Sequence, residues 1–209
     1  MRGWVYRSRG RPADVLTLEN DLPQPSGNSL GPHEVLIQVK YAALFQGTAA
    51  MMAMIPHFNE KAWVPENAYS GIVAATGVEV DHVAVDDAVF GGFAGDVSRK
   101  YGGVLAEYVI LPDHVVVRKP ANVSLRDVAG MGAGGITAMQ FVEVTGLRRG
   151  DRVLITGASG GTGTLVVQAA RAAVGDEGLV VGTCSSANEL LVKDLGVHEV
   201  CVEISPPWS

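Results

Sequence analysis

The residues with the clearest capacity for chemistry are glycines. The run Gly157-Ala-Ser-Gly-Gly-Thr-Gly163 follows the apolar stretch Val153-Leu-Ile-Thr156 and precedes a helical pattern that begins near Thr164. A glycine turn between a strand and a helix presents backbone N–H groups at the positive end of the helix dipole, where a pyrophosphate can be held without a cationic side chain. Gly160 lets the backbone approach such a group, and Gly163 lets helix and strand pack closely. The candidate binding residues of this turn are Ala158, Ser159, Gly160, Gly161, Thr162 and Gly163; the plainer alternative is a turn that is merely tight.

A second position bears on which dinucleotide fits. In such units an acid at the end of the second strand accepts the ribose 2′-hydroxyl of NAD. Here Gly182-Thr-Cys-Ser-Ser-Ala187 holds no Asp or Glu before Glu189. Small hydroxyl residues, Ser185 and Ser186, tolerate a 2′-phosphate, so NADPH is the expected cofactor. Lys193 is the nearby basic residue; it either answers that phosphate or lies on a solvated helix face. Ser186 with Glu189 also fits a capping box.

These residues need elements to hold them. Up to Pro120 the chain is a series of short β-type runs: Gly3–Arg7, Glu34–Tyr41, Ser70–Val80, Ala88–Phe90, Ala106–Leu111 and Val115–Arg118, the pattern of a small barrel or sandwich. Ala49–Met54 has the composition of a short buried helix that stops at Pro56, its methionines serving either core or pocket. Beyond Pro120, Ser124 with Asp127 suggests a capping box, and Ile136–Val144 a helix stopped at Gly146. Strand Arg152–Thr156, helix Thr164–Val174, strand Leu179–Thr183, helix Asn188–Leu195 and strand Glu199–Ile204 follow, half of a doubly wound sheet. The expected division is 1–122, 123–205 and a tail at 206–209.

Composition limits the partners. The 209 residues carry 16 basic and 22 acidic side chains, a formal net charge of −6, and no basic stripe that could neutralise phosphates in a row, so nucleic acid is excluded as an expected partner. Hydrophobic residues make up 47 %, too many for a disordered chain, yet no apolar run reaches the ~18 residues of a membrane helix. The basic start is followed by no apolar core or small-residue cleavage site, so the cytoplasm is the expected compartment. Cys184 and Cys201 lie in apolar runs without metal-ligand spacing and are expected to be buried free thiols.

Six landmarks, in order, carry a resemblance. They are Gly71-Ile-Val-Ala with Val85-Asp-Asp-Ala-Val-Phe-Gly91, Tyr101-Gly-Gly-Val-Leu-Ala-Glu-Tyr-Val109, Gly134-Gly-Ile-Thr-Ala138, Arg149-Gly-Asp-Arg-Val-Leu-Ile155, the run from Gly157 to Gln168, and Leu195-Gly-Val-His-Glu-Val200. Over nearly its whole length the chain resembles the medium-chain dehydrogenase/reductase superfamily, within it the zinc-independent, quinone oxidoreductase-like (enoyl reductase-like) branch. The resemblance implies an α/β protein: an N-terminal GroES-like β-barrel, then a partial, three-strand Rossmann domain, with the nicotinamide in the cleft between them. It implies hydride transfer from NADPH to a quinone, enone or enoyl-type acceptor, possible in a biosynthetic setting, by placement rather than by a strong base. Thr137 matches a position near the nicotinamide, Gly160, Gly161 and Gly163 the pyrophosphate loop, and Ser185 and Ser186 the adenosine ribose.

The sequence departs from that pattern in places. Zinc-dependent relatives carry a cysteine near position 45 and a His-Glu pair near 67, where this chain reads Leu44-Phe-Gln-Gly47 and Pro65-Glu-Asn-Ala-Tyr-Ser-Gly71; no metal site is expected, and His57 and His82 each stand alone. Phe45 replaces an asparagine common near the cofactor, Ala68 and Asp86 replace Asp and Gly, and the tyrosine that often faces the 2′-phosphate is missing from Val200-Cys-Val-Glu-Ile-Ser205. Gln46–Phe58, Tyr69 and Phe93 are candidates for the substrate wall, and Tyr69 and His57 for a general acid, each also readable as a packing or surface group. The Rossmann-like pattern stops after three strands, leaving an unpaired sheet edge open to self-association or a partner enzyme. Two functions follow: a small-molecule reductase, or a shortened, non-catalytic relative serving as a binding module.

Overall fold

The computed structural model describes residues 1–54 and 62–203. His57, Phe58 and the expected tail at 206–209 lie outside the described residues. The chain divides into two compact units, Met1–Ala133 and Gly134–Ser209.

The first unit is built on β3 (Glu34–Ala42), which buries the consecutive Val35, Leu36 and Ile37. It pairs antiparallel with β4 (Ala68–Thr76) and with β6 (Tyr108–Pro112); β5 (Ala88–Gly92) pairs with β4 and with β7 (Val117–Arg118), giving the order β6-β3-β4-β5-β7. The expected run to Val80 ends at Thr76 because the chain turns at Gly77. Its N–H donates to Glu34 O at 2.7 Å, and a Cβ there would meet Gly31 O at 2.2 Å. A ribbon of β1 (Gly3–Val5) and β2 (Thr17–Glu19) accompanies the sheet. Short helices α1 (Pro12–Val15), α2 (Gln46–Met54) and α3 (Asp96–Tyr101) fill connections, α2 starting three residues before the expected helix.

The division after Ala133 lies beyond the expected boundary at 122. Helix α4 (Leu125–Val128), capped by Ser124 Oγ accepting the Asp127 N–H at 3.1 Å as the sequence suggested, packs on β3, β4 and β5. The buried Ser70 hydroxyl of β4 donates to Leu125 O at 2.5 Å. A π-helical turn, Met131–Gly135, then leads into α5 (Ile136–Thr145), which ends at the left-handed Gly146.

The second unit is β8 (Arg152–Ile155), α6 (Gly163–Val174), β9 (Leu179–Cys184), α7 (Glu189–Asp194) and β10 (Glu199–Val202), with three parallel strands in the order β10-β9-β8. Val167, Ala170 and Val174 form one buried stripe of α6 and join Ile155, Val180, Val192 and Val197 in the core. Together the units give the expected mixed α/β class, an antiparallel sheet followed by a three-strand parallel one. Cys184 is buried in this core, whereas Cys201, expected buried, is exposed on the edge strand β10. Among the described residues no helix is long and apolar enough to cross a membrane.

Backbone contact within the first unit fixes where α4 and its following turn sit. A Cβ on Gly132 would lie 1.8 Å from Gly91 O, and one on Gly92 would lie 2.0 Å from Gly132 O. Gly132→Ala is therefore expected to cost about 2–4 kcal/mol in a denaturant titration, an overpacking loss that no rotamer can relieve. Gly130→Ala, with nothing within 4 Å of its Cβ, is the control and should change stability little.

Candidate functional site

The glycine turn between β8 and α6 is held from one side and open on the other. Gly157 is left-handed, φ +64°, a conformation that glycine adopts without strain. Its N–H donates to Thr183 Oγ1 at 3.0 Å, the Ala158 N–H donates to Thr183 O at 2.8 Å, and the Gly160 N–H closes back on Gly157 O at 3.0 Å. These bonds dock the start of the turn on the end of β9. A Cβ on Gly163 would meet Gly157 O at 2.1 Å, so only glycine lets α6 begin this close to the strand.

Past that point the backbone is unclaimed. Among the described residues, the N–H groups of Ser159, Gly161, Thr162 and Gly163 have no hydrogen-bond acceptor, whereas the Thr164 N–H donates to Gly160 O at 2.9 Å. Gly161 and Thr162 are exposed, and α6, twelve residues long, points its positive end at them. This arrangement can take an anionic group on peptide dipoles alone. Ala158 differs from its neighbours: it is buried and its N–H is already used, so it supports the turn instead of offering a donor.

The other candidates fall around this turn unevenly. Thr137 lies in the first turn of α5, which packs on α6; a Cβ on Gly134 would reach Leu165 at 2.7 Å and Gly161 O at 3.8 Å, so the start of α5 is beside the turn. Ser185 follows β9 directly and accepts from Asn188 Nδ2 at 3.1 Å, while the same amide donates to Ser159 Oγ at 3.3 Å. Ser186 is exposed and makes no side-chain cap; the expected box with Glu189 is absent, because Asn188 and not Ser186 precedes α7. Lys193 Nζ donates to Glu189 Oε1 at 2.7 Å, the i,i+4 pairing of a solvated helix face.

Three residues that the sequence alone did not single out complete the site. Thr183 links turn to strand, Asn188 bridges Ser159 and Ser185, and Glu203 accepts a hydrogen bond from the Thr183 hydroxyl. Each acts across a sheet or turn, a relation that no spacing in the chain expresses.

Of the candidates for a substrate wall in the first unit, Tyr69 and Phe93 are core, whereas α2, expected as a buried helix, buries only Met52 and leaves Met51 and Met54 exposed. Tyr69 and Phe93 belong to the unit's buried cluster. The Tyr69 hydroxyl donates to Val115 O at 3.2 Å, and burial pushes its pKa far up, so Tyr69 is a packing residue and not a general acid. His82 contacts Asp81 and Val116 O, and among the described residues no three His, Cys, Asp or Glu side chains converge on a metal position. Phe45 gives its N–H to both oxygens of Glu66 at 3.3 Å, and Thr48 Oγ1 donates to the same carboxylate at 3.0 Å, so Glu66 anchors the start of α2. Glu66 does so from a left-handed backbone, φ +68°, with Asp86 at φ +71° the other such non-glycine residue described.

The Alcohol dehydrogenase GroES-like domain family matches residues 31–121. Trans-enoyl reductase poxH of Penicillium oxalicum is 29 % identical over 234 aligned positions, which span 96 % of this chain and 60 % of that protein. Residues 31–121 are thus a GroES-like domain of this kind, and the chain is similar over nearly its whole length to enoyl reductases and quinone oxidoreductases of the medium-chain dehydrogenase/reductase superfamily. Among solved structures of similar fold, the quinone oxidoreductase of Coxiella burnetii gives a TM-score of 0.79 at 25 % identity, over 96 % of this chain and 62 % of its own. A structure described as an NAD-dependent alcohol dehydrogenase gives 0.82 at 31 % identity, over 100 % of this chain and 65 % of its own. The chain thus spans about 60 % of the length of the trans-enoyl reductase it matches.

In the first unit, the Glu66 anchor titrates away from its ordinary value. Burial raises the Glu66 pKa above the ordinary carboxylate value, against hydrogen bonds from Thr48 and Phe45 that lower it. A raised folded-state pKa means that stability is greatest below the ordinary value and falls as pH rises through the raised one. Glu66→Gln, which keeps an acceptor and removes the charge, is expected to raise the Tm at about pH 8 and leave it nearly unchanged at about pH 4. A loss of Tm at about pH 8 that vanishes at about pH 4 would show instead that the charge itself holds α2.

Proposed function

We propose that the chain carries the dinucleotide-binding site of a nicotinamide-dependent reductase that acts on an electron-poor small molecule of the quinone, enone or enoyl type. The observation that carries this reading is the row of N–H groups at Ser159, Gly161, Thr162 and Gly163, unclaimed among the described residues, at the start of α6 in a strand–turn–helix unit of the right topology. Gly163 provides the fit: its missing Cβ is what lets α6 begin against Gly157, and that close approach aims the donors at one place.

In this reading Ser159, Gly161, Thr162 and Gly163 hold the pyrophosphate by their N–H groups. Ser185 and Ser186 lie toward the adenosine ribose, and Asn188 keeps Ser159 and Ser185 at a fixed spacing. Thr137 stands on the nicotinamide side, at the start of α5. Lys193, held by Glu189, would need to leave that partner to meet a 2′-phosphate. NADPH remains the form that the acid-free stretch from Cys184 to Ala187 accommodates. The bound nicotinamide supplies the hydride; the chain's own contribution is to fix where the cofactor lies, the kind of placement that can supply up to ~7–11 kcal/mol of a barrier. The acceptor class follows the trans-enoyl reductase and quinone oxidoreductase to which the chain is similar.

Gly161 gives a clean test. A Cβ there meets nothing within 4 Å, and its φ is not in the left-handed region, so Gly161→Val should leave the Tm unchanged. The same side chain stands where the anion must approach. Titration of the purified chain with NADPH and with NADH, followed by nicotinamide fluorescence, is expected to show binding by the native protein and a loss of at least about tenfold in the variant, a shift of about 1.4 kcal/mol. Equal affinity in both would remove the turn from the binding site. Turnover with a quinone or an enone is a separate measurement and does not bear on the binding result.

A further inference from the structure

The stretch after β9 contains no acid, but the fold brings one there from the next strand. β10 runs parallel to β9 with Val202 opposite Cys184, and the following residue, Glu203, donates its N–H to Cys184 O at 2.8 Å. Its carboxylate accepts the hydroxyl proton of Thr183. That hydroxyl is the one that accepts the Gly157 N–H at 3.0 Å. A single side chain, Thr183, therefore ties Glu203 to the first residue of the glycine turn.

The charge at this place is not cancelled. Lys193 is taken by Glu189, and among the described residues no cation pairs with Glu203. The field of both carboxylates reaches the end of β9: after burial itself, Glu189 and then Glu203 push the Cys184 thiol pKa upward. Glu203 is also exposed, so a ligand lying across the end of the second strand can meet it.

We propose that Glu203 is a specificity-determining residue of the dinucleotide site, accepting the ribose 2′-hydroxyl of NADH and opposing the 2′-phosphate of NADPH. An acid at the carboxyl end of the second strand makes this discrimination in dinucleotide-binding units generally. Here it arrives from the end of the third strand and is held in place by a threonine of the second. The margin of NADPH over NADH is narrow as a result, and Glu203 is what narrows it. The proposal rests on the dinucleotide reading of the turn and concerns only the choice between the two cofactors.

The test compares the native chain with Glu203→Gln and Glu203→Lys. Glutamine keeps the length and an acceptor for Thr183 while removing the charge. Each protein is titrated with NADH and NADPH by nicotinamide fluorescence, and with AMP and adenosine 2′,5′-bisphosphate by calorimetry, so the adenosine end is read without the nicotinamide. The ratio of Kd for NADH to Kd for NADPH is expected to rise about tenfold in Glu203→Gln, the scale of one screened charge within ~10 Å. It should rise further in Glu203→Lys, and the preference for the bisphosphate over AMP should move in parallel. Binding of both cofactors with an unchanged ratio, or an equal loss of both, would overturn the assignment of Glu203 while leaving the dinucleotide site standing. Failure of all three proteins to bind any of the four probes would overturn the dinucleotide reading, and this proposal with it.

Discussion

The candidate site depends on one residue satisfying the first half of a turn so that the second half can stay open. Thr183 takes the Gly157 N–H on its hydroxyl and the Ala158 N–H on its carbonyl, and Gly160 closes back on Gly157. The first N–H groups of any helix lack acceptors within it, and here, among the described residues, those of Ser159, Gly161, Thr162 and Gly163 lie without acceptors on one accessible turn at the start of a twelve-residue helix. The register of β9 against β8 sets where Thr183 stands, and the stripe of Val167, Ala170 and Val174 sets how α6 lies on the strands. The core of the second unit is thus what aims the donors; Gly163, with backbone 2.1 Å from where its Cβ would be, is the point at which packing and binding geometry meet.

The first unit follows a different economy. Its antiparallel sheet is closed by contacts between backbones, Gly91 and Gly92 against Gly132, with no room for side chains. The two left-handed non-glycine residues, Glu66 and Asp86, lie next to this sheet, and such backbone persists only where neighbours hold it. At Glu66 the holding contacts are visible: the carboxylate fastens the Phe45 N–H and the Thr48 hydroxyl at the start of α2. Strain in the backbone is exchanged there for an anchored helix.

Much of this was legible in the residues, because the determinants were local. The glycine run between an apolar stretch and a helical pattern, the capping of α4 by Ser124 and the stop at Gly146 each depend on neighbours in sequence. What was not legible depends on elements meeting in space. Thr183, Asn188 and Glu203 are unremarkable in their own segments and become a network only when the ends of β9 and β10 and the start of α6 converge. Tyr69 looked like a polar group near a site, but strand alternation sends it into the core. Ser186 and Glu189 had the spacing of a capping box, yet the chain enters α7 through Asn188, whose amide is drawn to Ser159 and Ser185. The division between units moved from 122 to 133 because α4 packs on the sheet behind it, a tertiary preference that composition does not express.

The open donors of the turn are proposed to bind a pyrophosphate, and amide NMR reads those donors one by one. Titration of the chain with ADP, which carries the pyrophosphate without the nicotinamide, is expected to shift the amide protons of Ser159, Gly161, Thr162 and Gly163 downfield. The Gly157 and Ala158 amides, already bonded to Thr183, should move much less. Saturable shifts confined to other parts of the chain, or none at ADP concentrations well above the millimolar range, would contradict the account.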